Sequence, residues 1–362
     1  MRFYRTYLSQ QVADRLAVEL RNGAWHNHLP GERALAAFFS VSRRTIRMAL
    51  AILGRTGTIR SVAGRKVFKA SLKNLPVKRG EKTAVLVTSA IAEKLRDASM
   101  LILRLAHYFA LSGYTLQTEI IPVRANLRRR LEVIGKGPQA SVWLLVSVAK
   151  EVQRWFERHR LPSLIIGSRH ECIHLPDLDF NYRAVCRHAA NTLLRLGHRR
   201  VVFLSVHSGL AGDLAGECGF NEAFSAFTSG PVMAQIVRHK GSVAQIGRLL
   251  DRLFKGTEAP TAMIVSRSHF AMTAQGHLLR MGKRIPEDVS LICRDDDPLF
   301  EFVVPSLAHY RVDLNRFARR AMQLAMGIDQ GVSRPSISLR IIPQFVPGKS
   351  VAAVRVIRRG LN

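Results

Sequence analysis

Two fold classes follow one another along these 362 residues: an α+β unit of three helices and a hairpin, then a larger α/β body in two lobes. Three observations predict them. The length exceeds what a single hydrophobic core serves. The first seventy residues carry helical periodicities that end in a short two-stranded pattern. Beyond residue 82, strands alternate with helices in two successive series.

In the first unit, Leu8, Val12, Leu16 and Leu20 recur every fourth residue with Ala13 and Ala17 beside them, which predicts an amphipathic helix from Leu8 to Asn22 closed by Gly23. The loop Ala24 to Leu29 leads to Pro30-Gly31-Glu32-Arg33, where a rigid proline and an early acid suit a first helical turn. A second helix is expected from Glu32 to Phe39. Ser40-Val41-Ser42 makes a tight turn, and Ser42 is placed to cap a third helix that runs to about Leu53, before Gly54. Ile46, Ala49, Leu50 and Leu53 form its inward face, which leaves Arg43, Arg44, Thr45 and Arg47 outward. After Gly57, Thr58 to Val62 and Lys66 to Lys69 read as a hairpin with the tip Ala63-Gly64-Arg65. Three helices with a tight turn before the third, followed by a hairpin, make a winged helix-turn-helix, and its third helix is the element that enters a major groove.

The charge agrees. Fifty-five Lys plus Arg against twenty-six Asp plus Glu give +29, an excess that favours polyanion partners through counterion release. Residues 1–81 hold sixteen of the basic and four of the acidic residues, so basicity is densest in the first unit.

Leu29-Pro30-Gly31-Glu32-Arg33-Ala34-Leu35-Ala36, then Val41-Ser42-Arg43-Arg44-Thr45-Ile46-Arg47-Met48-Ala49-Leu50, and finally Gly64-Arg65, closely resemble the GntR family of bacterial repressors over about residues 5–70. The resemblance implies that Arg33, Ser42 to Thr45 and Arg47 contact operator DNA, and that Gly64 and Arg65 reach the minor groove. Arg44 departs from the smaller polar residue common at its position, and Ala63 from a polar or basic one. By chemistry, Arg43, Arg44 and Arg47 suit bidentate reading of guanine. Ser42 and Thr45 suit phosphates at a helix N-terminus, and Arg65 and Lys66 a narrow minor groove or its flanking phosphates.

Residues 71–82 are polar, basic and contain Pro76, the composition of a linker. The body is expected over 83–348 and a basic tail over 349–362. Its first series reads strand Ala84 to Thr88, helix Ala98 to Ser112, strand Thr115 to Ile121, strand Ser141 to Val146, helix Glu151 to His159 and strand Ser163 to Ile166. The second reads helix Tyr182 to Leu196, strand Arg200 to Leu204, helix Cys218 to Phe227, strand Met233 to Val237, helix Val243 to Phe254, strand Ala262 to Val265, helix His269 to Arg280 and strand Val289 to Cys293. Gly209, Gly212, Gly216 and Gly219 match no phosphate-binding pattern and read as a loop before a helix. Two such series imply two parallel-sheet lobes with a cleft at the strand C-termini.

Leu196-Gly197-His198-Arg199-Arg200-Val201-Val202-Phe203-Leu204, Gly219-Phe220, Ala259-Pro260-Thr261-Ala262, Met281-Gly282, Ile285-Pro286-Glu287-Asp288-Val289-Ser290-Leu291, Asp295-Asp296 and Pro305-Ser306-Leu307 resemble the effector domain of the LacI/GalR repressors, a type I periplasmic-binding-protein-like fold. Candidate cleft residues are accordingly Ser89, Ser147, Arg267, Ser268 and Asp295. The departures bear on the ligand. Sugar-binding members carry an arginine where Gly216 stands and an Asn-Asp pair where Arg267-Ser268 stand; the aspartate matching Asp295 is retained. A buried hydroxyl without its partner costs about 1–3 kcal/mol, so either an anionic sugar derivative takes the place of a neutral sugar, or the cleft has lost its ligand and serves dimerisation.

The expected partners are double-stranded DNA carrying a palindromic operator, a second copy of the chain, and a small-molecule effector. No cofactor, metal site or catalytic residue is implied. His170-Glu171-Cys172-Ile173-His174 lacks a matching second pair of ligands, and no nucleophile elbow appears. An enzyme on the same fold would leave the basic head unexplained; a nonspecific nucleoid-type binder is the other alternative. Cys172, Cys186, Cys218 and Cys293 have no zinc or CxxC spacing and read as buried thiols. No run of eighteen uncharged apolar residues appears, and Met1 to Arg21 lacks an apolar leader core, so a cytoplasmic protein without a membrane partner is expected.

Overall fold

The computed structural model describes residues 9, 12–13, 16–17, 20, 29–39, 41–55, 59–61, 68–70, 82–89, 99–122, 126–137, 140–332 and 337–354. Cα packing divides the chain into two compact units, Met1–Lys82 and Thr83–Asn362.

In the first unit, Val12, Ala13, Leu16, Ala17 and Leu20 are helical and buried, as their four-residue spacing requires. They pack with Leu35 of α1 (Glu32–Phe38) and with Ile46, Ala49, Leu50 and Leu53 of α2 (Arg43–Arg55). The core of three helical segments is thus the one the periodicity marks. α2 runs through Gly54 rather than stopping before it. A glycine in a helix costs about 1 kcal/mol; burial of Leu53 on the preceding position offsets it. β1 (Ile59–Ser61) and β2 (Phe68–Ala70) pair antiparallel, with Ile59 opposite Ala70. The expected hairpin tip, including Gly64, Arg65 and Lys66, lies outside the described residues.

The second unit has two sheets. The first has the order β13-β7-β6-β5-β3-β4, from β3 (Lys82–Ser89), β4 (Tyr114–Ile121), β5 (Val142–Val146), β6 (Ser163–Ile166), β7 (Asp177–Phe180) and β13 (Ser338–Ile341). Alternate residues serve its two faces. Leu86, Leu144 and Ile166 pack under α3 (Ser99–Leu111) and α10 (Leu314–Asp329), while Val87, Leu145 and Ile165 pack under α4 (Leu127–Lys136) and α5 (Lys150–Arg158).

The second sheet is wholly parallel, β11-β10-β8-β9, from β8 (Arg200–Val206), β9 (Met233–His239), β10 (Ala262–Val265) and β11 (Ser290–Cys293). One face meets α6 (Tyr182–Arg195) and α7 (Ala211–Ser225), the other α8 (Val243–Leu253) and α9 (Ser268–Arg280). β12 (His309–Arg311) pairs antiparallel with β14 (Gln344–Val346), so the chain passes between lobes near residues 181, 312 and 342. Residues 349–354, expected in the tail, are bonded into the second lobe: Ser350 Oγ donates to the Leu291 carbonyl at 2.6 Å and Val354 N to that of Leu196 at 2.9 Å.

The glycine-rich stretch is helix, not loop. α7 begins at Ala211, seven residues before the expected Cys218, and contains Gly212, Gly216 and Gly219. Packing against α6 demands them, since a Cβ on Gly219 would stand 2.0 Å from the Arg183 carbonyl oxygen. Tertiary approach here outweighs propensity. The cysteines also divide: Cys186 and Cys293 are buried, whereas Cys172 and Cys218 are exposed.

Candidate functional site

Two groups of charged residues stand out, one in each unit, and they are arranged in opposite ways.

In the first unit, the Thr45 amide donates to Ser42 Oγ at 3.2 Å, and the Ser42 and Thr45 hydroxyls lie 2.9 Å apart. Ser42 is therefore the cap its position before α2 predicts, and it satisfies one of the helix's open amides. Because Ile46, Ala49 and Leu50 fix the inward face, Ser42, Arg43, Arg44 and Arg47 come out exposed with Thr45 half-buried. Arg33 is exposed on α1. Glu32 joins the group without a local signal: its Oε2 lies 2.9 Å from Arg47 Nε and 3.9 Å from Arg43 Nη2, fifteen and eleven residues along the chain. Both arginine side chains stay about 60% exposed (61% and 60%), so the pairing steers them without removing their charge from solvent.

In the second unit, four buried or half-buried side chains close a ring at the strand C-termini. Arg267, after β10, reaches Asp213 of α7 at 2.8 Å and Asp295, after β11, at 3.3 Å. Arg294 reaches Asp213 at 2.8 Å and Asp295 at 3.0 Å. Ser208 Oγ also donates to Asp213. Burial disfavours the Asp213 carboxylate, but Arg267 and Arg294 outweigh it and bring its pKa down to about 2. Arg294 is fully buried, yet Asp295 and Asp213 hold its pKa well above the usual value. Its guanidinium carbon lies 4.1 Å from the centre of the Tyr182 ring. It fits because α7 has Gly216 there: a Cβ would come 3.4 Å from Arg294 Nη1 and 3.1 Å from Cys186 Sγ.

The first lobe touches this wall through Asp179. Its carboxylate accepts from Ser168 Oγ at 2.6 Å and from the Phe180 amide at 2.8 Å, and a Cβ on Gly212 of α7 would lie 3.1 Å from its Oδ2. Burial raises the Asp179 pKa to about 6. On the other side of the second sheet, burial and the neighbouring His269 and Arg267 lower His239 to about 4.

Of the five expected cleft residues, Arg267 and Asp295 are brought into contact. Ser89 ends β3, Ser147 follows β5 with φ 50°, and Ser268 opens α9. Arg267, expected to anchor an anion, is instead flanked by two carboxylates. Asp213 and Arg294 were missed. Arg294 does carry a signal: Ile292, two residues before it on β11, faces the α6–α7 side, and period two continues that face. Asp213 had none, lying in a stretch that reads as loop. The Asp295-Asp296-Asp297 run disperses. Asp296 accepts the Val312 amide at 3.0 Å, and Asp297 the Leu299 amide at 2.9 Å.

Comparison with known proteins fixes what carries these groups. Residues 8–68 match the bacterial regulatory proteins of the gntR family, and residues 190–351 a periplasmic binding protein-like domain. The chain joins a GntR-family helix-turn-helix head to a periplasmic-binding-protein-like body. The head is 45% identical over 60 residues to an uncharacterised HTH-type transcriptional regulator of Rhizobium meliloti, which covers 16% of this chain and 25% of that protein. A longer match, 25% identical over 178 residues, is to the HTH-type transcriptional regulator GntR of Pseudomonas aeruginosa, covering 46% of this chain and 52% of that one. The HTH-type transcriptional repressor PurR of Haemophilus influenzae is 30% identical over 109 residues, covering 29% and 32%. These alignments span from a quarter to about half of the relatives' length.

Among solved structures, the Lac repressor dimer bound to operator and the anti-inducer ONPF superposes with a TM-score of 0.67 at 15% identity, over 76% of this chain and 96% of that one. A LacI family transcriptional regulator from Mycobacterium smegmatis gives 0.64 at 18%, over 75% and 100%. At such identities the likeness is one of fold. No described helix is long and apolar enough to cross a membrane.

Proposed function

We propose that this protein is a dimeric, sequence-specific regulator of transcription, a repressor when unliganded, whose head grips a palindromic operator and whose body carries the dimer contact and an effector cleft. The observation that carries this reading is the row of exposed side chains at the N-terminus of α2, Ser42, Arg43, Arg44 and Arg47, inside a segment that matches the gntR family. Arg43, Arg44 and Arg47 read base edges, since a guanidinium bonds O6 and N7 of guanine together. Ser42 and Thr45 hold a phosphate where the helix dipole helps. Arg33 adds an operator contact, and Gly64, Arg65 and Lys66 extend the grip into the adjacent minor groove.

The domain boundaries that go with this reading are a head to residue 70, a linker to 82 and the body beyond. A dimer presents two copies of α2 to two half-sites, so the operator mirrors the protein's two-fold axis. An effector shifts the equilibrium between lobe arrangements only by the difference in its affinity for them. No catalytic step, metal or cofactor belongs to this reading, and the protein works where the DNA is, in the cytoplasm. Relatives named as transcriptional repressors support the sign of regulation.

Selection of the full-length protein on random double-stranded DNA at fixed salt tests it. An enriched palindrome is the expected result. A flat pool, with affinity following salt alone, would replace this reading with a nonspecific polyanion binder.

A further inference from the structure

The ring of Asp213, Arg294, Asp295 and Arg267 is closed: each carboxylate gives one oxygen to each guanidinium, so two cations and two anions cancel. Its inner edge, Asp213 and Arg294, is out of contact with solvent. Its outer edge is Arg267, 14% exposed, and Asp295, 21% exposed. A molecule entering the cleft therefore meets a guanidinium and a carboxylate side by side, a donor next to an acceptor. An anion placed on Arg267 would sit against the Asp295 carboxylate and would have to draw Arg267 away from two buried or half-buried negative charges. Like charges at that spacing repel, more strongly in a low-dielectric site than in water.

Three more polar atoms lie behind the ring. Arg294 Nη2, Ser205 Oγ and Ser266 Oγ are buried and have no hydrogen-bond partner among the described residues. The register Leu204 beside Val265 and Val265 beside Cys293 places Ser205, Ser266 and Arg294 next to one another across β8, β10 and β11. Native proteins leave few buried polar atoms unpaired, and these supply hydrogen bonds without adding net charge to the neutral ring.

Resting on the reading that the cleft takes an effector, we propose that the effector is a small molecule without net charge, held by adjacent donor and acceptor groups, and that the ring rejects anions. Arg294 is the positioning residue. Reaching from β11 into the space beside Gly216, it keeps Asp213 and Asp295 ionised and so keeps Arg267 paired.

The test uses the full-length protein and matched probes: glucose against glucose 6-phosphate, ribose against ribose 5-phosphate, and gluconamide against gluconate, each titrated by thermal shift. In at least one pair the uncharged member should half-saturate at a concentration at least tenfold lower. Asp295→Asn leaves the ring with one net positive charge and should move that ratio at least tenfold toward the charged member. The double variant Arg267→Gln with Asp295→Asn is neutral again and should move it back, a reversal that a merely structural role would not produce. The proposal is overturned if the wild-type protein prefers the charged members, if Asp295→Asn leaves the ratio unchanged, or if no pair shifts either protein. Loss of the DNA reading would show separately, as a selection without a palindrome.

Discussion

The arginines of the head and those of the cleft are the same residue put to opposite uses. Arg43 and Arg47 stand about 60% exposed beside a single glutamate, and Arg44 is exposed with no ion-pair partner among the described residues. Arg294 and Arg267 are buried and each bonds two aspartates. The difference is one of unspent charge. A guanidinium left in solvent with no anion of its own releases counterions when a polyanion arrives; one already neutralised in a low-dielectric wall offers geometry instead of net charge.

The sharpest way to break the contrast is Asp213→Ala. It leaves the fully buried Arg294 half-compensated, which typically costs about 3–5 kcal/mol, and chemical denaturation should report a loss of that size. A loss below about 1 kcal/mol would mean that the ring is not what balances Arg294.

The second test is pH. Asp179 has a folded pKa of about 6, above its unfolded value, so its contribution is fully present below about pH 4 and is lost as pH rises through 6. Asp213, at about 2, works in the other direction, its contribution fading as pH falls below about 4. Asp179→Asn should therefore remove a decline in stability on the order of 2–3 kcal/mol between pH 4 and 7, measured as denaturation midpoints at the two ends. An unchanged profile would place the Asp179 titration elsewhere.

Substitutions in the head should leave stability alone and change binding. Arg43→Ala and Arg47→Ala are each expected to weaken operator binding by about 1–3 kcal/mol and to relax preference at one base position, while moving the unfolding midpoint by less than about 0.5 kcal/mol. Equal weakening on random DNA would reassign them to the phosphates. The smallest effect belongs to Glu32→Gln, which frees both arginines from an exposed pairing worth less than about 1 kcal/mol. Tighter DNA binding by up to that amount, greater at low salt, is the expected result of a direct titration.

Much of this was legible in the residues. Ile46, Ala49, Leu50 and Leu53 dictated which face of α2 is buried, and the exposed arginines are what that face leaves over. Strands Ser163–Ile166 and Ala262–Val265 lie where their apolar runs placed them. β7 went unnoticed because Asp177-Leu178-Asp179-Phe180 is too short and too acidic to read as a buried strand; Arg340 and Arg169 supply the charges that allow Asp177 inside. The cleft was half legible. Arg267 and Asp295 were marked by their places after strands, but their partners were not.

By itself the sequence determined the local patterns: the periodicity that buries one face of each helix, the Ser42 cap, and the alternation that builds two parallel sheets. These depend on neighbours within a few turns of chain. The tertiary structure decided what long-range approach alone can set. Glu32 meets Arg47, three glycines become helix because α6 leaves no room for a Cβ, and Arg294 occupies the space beside Gly216. Asp213 joins Arg294 across 81 residues of chain. Such pairings depend on where folded elements meet, and no spacing in the sequence encodes that distance.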